Sequence, residues 1–349
     1  MSEIHCLDLF SNKRNELQRV LGTQMTWQST LTWQNAQKRA KILQQIRQFF
    51  VERNVVEVET PVLSRGTVTD VYLDALSCEY KFLADTPAGQ STELFLQTSP
   101  EFHMKRLLAS GYGCIYQIAK AFRHEEFGRH HNPEFTILEW YRIGFNQFDL
   151  MREVSELLTS ILSCNKPLIT SYQDIFIDRL SIDPLTVTFN DLTALLMKQN
   201  KLDDWLIESE DADLLLQFIF TELIEPTIGI EQPQFIYNFP IAQASLAKVS
   251  PQDSRVAERF ECYYQGIELA NGFNELTDVN EQLIRFKADN QKRLEQGLDQ
   301  RPIDNNFIAA LQHGLPECSG VALGIDRLIM LGLGAETIEK VQSFPIDRA

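Results

Sequence analysis

The sequence predicts an α+β fold in which helices flank a largely antiparallel sheet. Three observations carry this. Two runs rich in β-branched and aromatic residues, CIYQIAKAFR (114–123) and EFTILEWYR (134–142), are joined by a loop containing Gly128, Asn132 and Pro133, which reads as an antiparallel pair. Helical patterns at 35–54, over the block 150–230 and near 277–294 accompany these and later strand-like runs. No internal repeat, low-complexity tract or Pro/Gly/Ser linker divides the 349 residues.

Taken in order, residues 1–30 read as a loosely attached N-terminal extension, with Met25 as an alternative start, and 31–349 as one domain. Residues 35–54 place Ala36, Ala40, Leu43, Ile46 and Phe50 on one helical face behind Asn35 as N-cap. VVEVETP alternates as a strand and stops at Pro61. On the strand 134–142, Phe135, Ile137, Glu139 and Tyr141 share a face. The block 150–230 (MREVSELLTSILS, FNDLTALLMKQ, DADLLLQFIFTELI) reads as a helical insertion. QFIYNFP and ERFECYYQGIELANGF supply further strands, a polar helix follows near 277–294, and CSGVALGIDRLIMLGLG runs from a strand into a short helix.

Composition narrows the function. Hydrophobic residues at 44% and charged residues at 23% suit a soluble enzyme. No apolar run approaches the roughly 18–20 residues of a membrane helix, and the start, MSEIHCLDLFSNKR, lacks the order of a signal peptide. A cytoplasmic protein is expected. Six scattered cysteines without a CxxC pair fit reduced thiols, not zinc or redox chemistry. The net charge of −16 disfavours a broad face for a long polyanion but allows a local basic site.

The densest stretch is FRHEEFGRHHNPEFTILEWY (122–141), with two arginines, three histidines and four carboxylates. Histidines 124, 130 and 131 lack an HxxxH or HExxH spacing, which disfavours zinc. A solvated charged loop and an arginine grip on polyphosphate both remain open from this stretch alone. GVALGIDRLIML (320–331) adds glycines that permit close approach of a flat ligand, and Arg327. In RFECYYQGIELANGFNELTD (259–278), a turn at YYQG would set Glu261 against Glu268 across a hairpin. Like charges so placed repel unless a cation such as nucleotide-bound magnesium lies between them.

Together, Arg123 within FRxE, Glu261 with Glu268, and GxxxGxDR resemble motifs 2 and 3 of the class II aminoacyl-tRNA synthetases, and the helix–strand–Pro61 unit resembles motif 1, the dimer-forming motif of that family. RHHNPEFTILEWY and ELANGFNELTD are similar to the lysyl-tRNA synthetase branch. Three features depart from that branch. There is no room before residue 35 for an oligonucleotide-binding barrel of on the order of 100 residues; TSPE (98–101) stands where TAPE is usual; and Leu269-Ala270 replace Ile-Gly. These match a truncated branch whose members join (R)-β-lysine to elongation factor P. His124 replaces the asparagine of the usual FRNE.

The resemblance implies that 31–349 is a catalytic domain that forms an aminoacyl-adenylate from ATP with Mg2+, acts on elongation factor P and not tRNA, and forms a homodimer. It also implies roles. Arg123 is catalytic, holding the α-phosphate and the attacking carboxylate. His124, Glu125, Asn132, Phe135, Glu268, Leu269, Gly324 and Arg327 bind ATP; Glu261 and Glu268 bind the metal. Ser99, Pro100, Glu101, Glu139, Tyr141, Ala270 and Glu275 form the amino-acid pocket, with Ser99 and Ala270 reshaping its floor. A tRNA-charging minimal synthetase, an asparagine-forming ligase and an inactive regulatory paralogue are the alternatives; retention of Arg123 and Arg327 disfavours the last.

Overall fold

The computed structural model describes residues 27–85, 87, 90–124 and 127–349. The expected extension therefore lies outside the described residues except for 27–30, as does Glu125.

Helix α1 (Trp33–Val51) begins two residues earlier than the sequence suggests. Thr32, not Asn35, is its N-cap, because the Thr32 hydroxyl accepts from the Asn35 N–H. Ile42, Ile46, Phe49 and Phe50 form its buried stripe, whereas Ala40 faces solvent. The helix turns at Asn54 (φ 54°) into β1 (Val56–Glu57). The small strands β2 (Leu63–Ser64), β3 (Ser77–Tyr80) and β4 (Thr92–Leu96) pair as an antiparallel sheet of order β2-β4-β3. Helix α2 (Glu101–Ala109) follows.

The hairpin of β5 (Ile115–Phe122) and β6 (Glu134–Ile143) forms where the sequence places it. Helix α3 (Gln147–Leu162) opens with a complete capping box at Asn146 and Asp149. Next come β7 (Leu168–Ser171), α4 (Tyr172–Leu180), α5 (Phe189–Lys198), α6 (Asp204–Glu208) and α7 (Ala212–Ile219). Strands β8 (Gln234–Pro240), β9 (Val256–Tyr264) and β10 (Ile267–Asn274) precede α8 (Val279–Glu295) and α9 (Asn305–Gly314). The chain closes through β11 (Cys318–Gly324) and α10 (Ile325–Leu333).

Eight of these strands form one sheet of order β1-β5-β6-β11-β10-β9-β8-β7. Only its two edge pairs, β1 with β5 and β7 with β8, are parallel; the ladders between are antiparallel. Helices α1, α3 and α10 cover one face through a core containing Phe50, Trp140, Leu157 and Ile329. Burying a large apolar side chain of this kind contributes about 1.5–3 kcal/mol. The first helix of the 150–230 block, α3, thus packs into the main core. Helices α4 to α7 build a second core over Ile236, Phe239 and Tyr263. The opposite face of the central strands is left for the site.

Candidate active site

On that face, β6 presents Phe135, Ile137, Glu139 and Tyr141 to a cavity of about 810 Å³. The neighbouring strands keep the floor low. Register places Ala119 and Ala121 of β5 beside Ile137 and Phe135, and Gly320, Ala322 and Gly324 of β11 beside Tyr141, Glu139 and Ile137. At Gly320 a Cβ would lie 2.3 Å from the Tyr141 ring and 2.5 Å from the Glu275 carboxylate. Glycine is therefore a packing requirement there.

One end of the cavity is acidic. The Tyr141 hydroxyl donates to Glu139 Oε1 at 2.6 Å, while Glu139 Oε2 is buried without a hydrogen-bond partner. Burial, reinforced by the neighbouring Glu101 charge, pushes the Glu139 carboxyl up to about 8. Burial likewise raises Glu275 to about 7, opposed by Lys105. Lys105 of α2 is 1% exposed and pairs with Glu101 Oε1 and Glu275 Oε2, each at 2.5 Å. Helix α2 is pinned in place by Phe102 stacked on Phe307 of α9, with ring centroids 4.5 Å apart. Ser99 lines the cavity and its hydroxyl accepts from the Glu101 N–H, whereas Pro100 is buried behind the lining.

The other end is basic and aromatic. Arg123 leaves β5 with its guanidinium 5.1 Å from the Phe135 ring centroid, and its N–H donates to Pro133 C=O. Arg327 joins the three segments singled out in the sequence. It donates through Nη1 to Glu268 C=O at 2.8 Å and through Nε to His130 C=O, and its Nη2 lies 2.6 Å from His131 Nε2. Asn132 is buried, with its amide donating to Glu134 C=O and accepting from the Ile346 N–H. His124 is exposed and lies outside the cavity lining.

One expectation is corrected by the β9–β10 register. The turn at Gln265-Gly266 forms, with φ values of 53° and 69° that suit a tight hairpin. Glu268, however, pairs with Tyr263, and Glu261 with Asn271, so the two glutamates are diagonal neighbours and not a facing pair. A bulge at Leu269 then inverts the alternation. Ala270 is set opposite Leu323 and belongs to the main core cluster, and it also lines the cavity.

Glu261 and Glu268 still crowd one another. Burial raises the Glu261 carboxyl, and the Glu268 charge adds to the rise. Burial and both of these carboxylates raise Glu225 to about 7. Glu261 is held by Arg259 at 2.5 Å and by Asn271 at 3.2 Å, and it also accepts from the Tyr263 hydroxyl. Among the described residues no group of three or more His, Cys, Asp or Glu is arranged to hold a metal. Mg2+ needs only one or two carboxylates when water and phosphate oxygens complete its shell. The hard-oxygen pair Glu261 and Glu268 fits that requirement.

A family model described as tRNA synthetases class II (D, K and N) matches residues 23–348. The chain belongs to this family. Within this class II family, it is 52% identical over 324 residues to the elongation factor P–(R)-β-lysine ligase of Klebsiella pneumoniae, covering 93% of this chain and 98% of the relative. It is 53% identical over 327 residues to the Vibrio cholerae protein of the same name, covering 94% and 100%. The Salmonella typhi protein of that name is 53% identical over 326 residues, covering 93% and 98%. This class II synthetase domain is that of a ligase, and its mixed fold with an antiparallel-rich sheet is the one the sequence predicts.

Sequence reasoning missed Lys105, Arg259 and Glu225. Lys105 carried a local signal, since it stands four residues after Glu101 and so on the same helical face. Arg259 stands two residues before Glu261 on one strand face. Glu225 had none, because only tertiary packing brings it to the hairpin.

Proposed function

We propose that this protein activates (R)-β-lysine with ATP and transfers the β-lysyl group to a lysine ε-amine of elongation factor P. The observation that carries this reading is the division of one β6 face into an anionic half, Glu139 and Tyr141 with Glu101 and Glu275, and a half with Arg123 and Phe135. A diamino acid fits the first half and a nucleotide the second. The names of the relatives from three bacteria support the same substrates.

In the first step, a carboxylate oxygen of β-lysine attacks the α-phosphorus of ATP; the new P–O bond forms as the bond to the β,γ-phosphates breaks, and pyrophosphate leaves. Arg123 holds the attacking carboxylate against the α-phosphate and offsets charge that develops between them. Phe135 stacks on adenine, and Arg327 closes the other side with Gly324 allowing close approach. Asn132 fixes the loop that carries these contacts. Leu269 contributes backbone at its bulge. Mg2+ bound by Glu261 and Glu268 would neutralise phosphate charge.

Two ammonium groups of the substrate are received by Glu139, Glu275 and Glu101, whose desolvation is costly unless opposite charge arrives. Ser99 shapes the floor. In the second step the acceptor ε-amine, neutral when it attacks, adds to the adenylate carbonyl and AMP departs, leaving an amide. Transfer to tRNA would use the same adenylate, so acceptor choice is a separate property. A homodimer built on α1 is part of this reading.

The test is Arg123→Ala. Loss of lysine-dependent ATP–pyrophosphate exchange by about 100-fold or more is expected for removal of a transition-state contact, with an unchanged circular dichroism spectrum. Exchange within tenfold of wild type would refute the role.

A further inference from the structure

Lys105 is a charged residue at the acidic half that the proposed mechanism does not use. Its ammonium is fully enclosed, paired with Glu101 and Glu275 and 5.9 Å from the Phe307 ring centroid. A buried lysine is expensive unless its charge serves the structure or the ligand. A Leu or Met here, as at Met104 and Leu108 of the same helix, would leave the Glu101 and Glu275 carboxylates without this cation.

We infer that Lys105 is a resident counter-cation that sets the pocket's charge to match a substrate with two ammonium groups. The inference rests on the reading of this half as the diamino-acid pocket. Three carboxylates, Glu101, Glu139 and Glu275, converge with one ammonium, leaving two formal negative charges. A dication neutralises them. In the empty pocket that surplus is not sustained, and a carboxyl keeps a proton. Glu139, with its buried and unpartnered Oε2, holds it.

The groups that face Glu139 are few. They are Glu101 and Lys105 from α2, Tyr141 on its own strand and Glu275 after β10. Its cross-strand neighbours, Gln117 of β5 and Ala322 of β11, carry no charge. Cys318 of β11 lies near Glu275 and Lys105, and burial keeps it a neutral thiol. Until substrate arrives, ionised Glu139 is therefore favoured by the hydrogen bond from the Tyr141 hydroxyl and, among these charged neighbours, by Lys105 alone. Entry of the second ammonium removes that proton to solvent, so binding and proton release are linked.

Calorimetric titration of the wild-type protein with (R)-β-lysine near pH 7, in two buffers of different protonation enthalpy, reads this directly. Release of about one proton per site is expected, and little or none with 3-aminohexanoic acid, which keeps one ammonium. In Lys105→Met the inflection in KM for β-lysine moves up by about one pH unit, kcat changes little, and Lys105→Arg restores the wild-type profile. Should β-lysine bind without buffer-dependent heat, or Lys105→Met fold and keep its pH inflection, the counter-cation role is overturned while the pocket reading stands. An absence of binding by wild type would remove both.

Discussion

Glu139 is 2% exposed, and a carboxyl so placed with a partner for one oxygen only is easier to bury protonated than charged. Its raised pKa, about 8, and that of Glu275, about 7, mean that the empty native protein binds more protons than the unfolded chain above the ordinary carboxylate range, near 4.5. The unfolding free energy therefore falls with rising pH across that window. The stabilisation is fully present below about 4.5 and is gone above about 8. Melting temperature without ligand is expected to decline between these limits, and Glu139→Gln to flatten the decline; thermal scans across pH read both. A rise in stability from pH 6 to 8 in the wild type would contradict this account of the pocket. At this scale the sequence singles out Glu101, Glu139 and Glu275, and the structure gathers them at one end of one cavity. Lys105, which pairs with two of them, was signalled only by its spacing from Glu101; its second partner, Glu275, is distant in sequence.

At the scale of elements, the strands and the hairpin turn follow from alternation and a Gln-Gly turn, and the strand ending at Gly324 passes directly into α10. What alternation could not foretell was the bulge at Leu269. One extra residue moves every later side chain of β10 to the other face, which is why Ala270 joins the main core cluster at the edge of the pocket and Asn271 reaches Glu261 inside it. A second element-scale feature is the junction under the site. Buried Asp326 at the start of α10 accepts from Arg39 of α1, from the Thr136 N–H of β6 and from Gln342. This one carboxylate ties the helix of motif 1 to the strand that carries the pocket. Asp326→Ala leaves a guanidinium and a backbone N–H without their acceptor, so a loss of about 3 kcal/mol is expected, to be read from urea unfolding. A loss below 1 kcal/mol would show that the junction carries little.

Over the whole molecule, the described residues include no helix long and apolar enough to cross a membrane. They do leave apolar side chains outside around α1 and the strands after it, among them Trp33, Val51, Val56 and Leu63. Clustered exposure of this kind marks an interface, and the proposed homodimer would cover it. Sedimentation is expected to give twice the chain mass, and Val56→Glu to give the single-chain value. A wild-type monomer at micromolar concentration would exclude the dimer.

The acceptor is the central claim, and a transfer assay tests it most directly. Purified protein, ATP, Mg2+ and radiolabelled (R)-β-lysine would be offered elongation factor P in one tube and bulk tRNA in another. Label on the factor and none on tRNA is the predicted result. Label on tRNA, or on neither while ATP–pyrophosphate exchange proceeds, would contradict it.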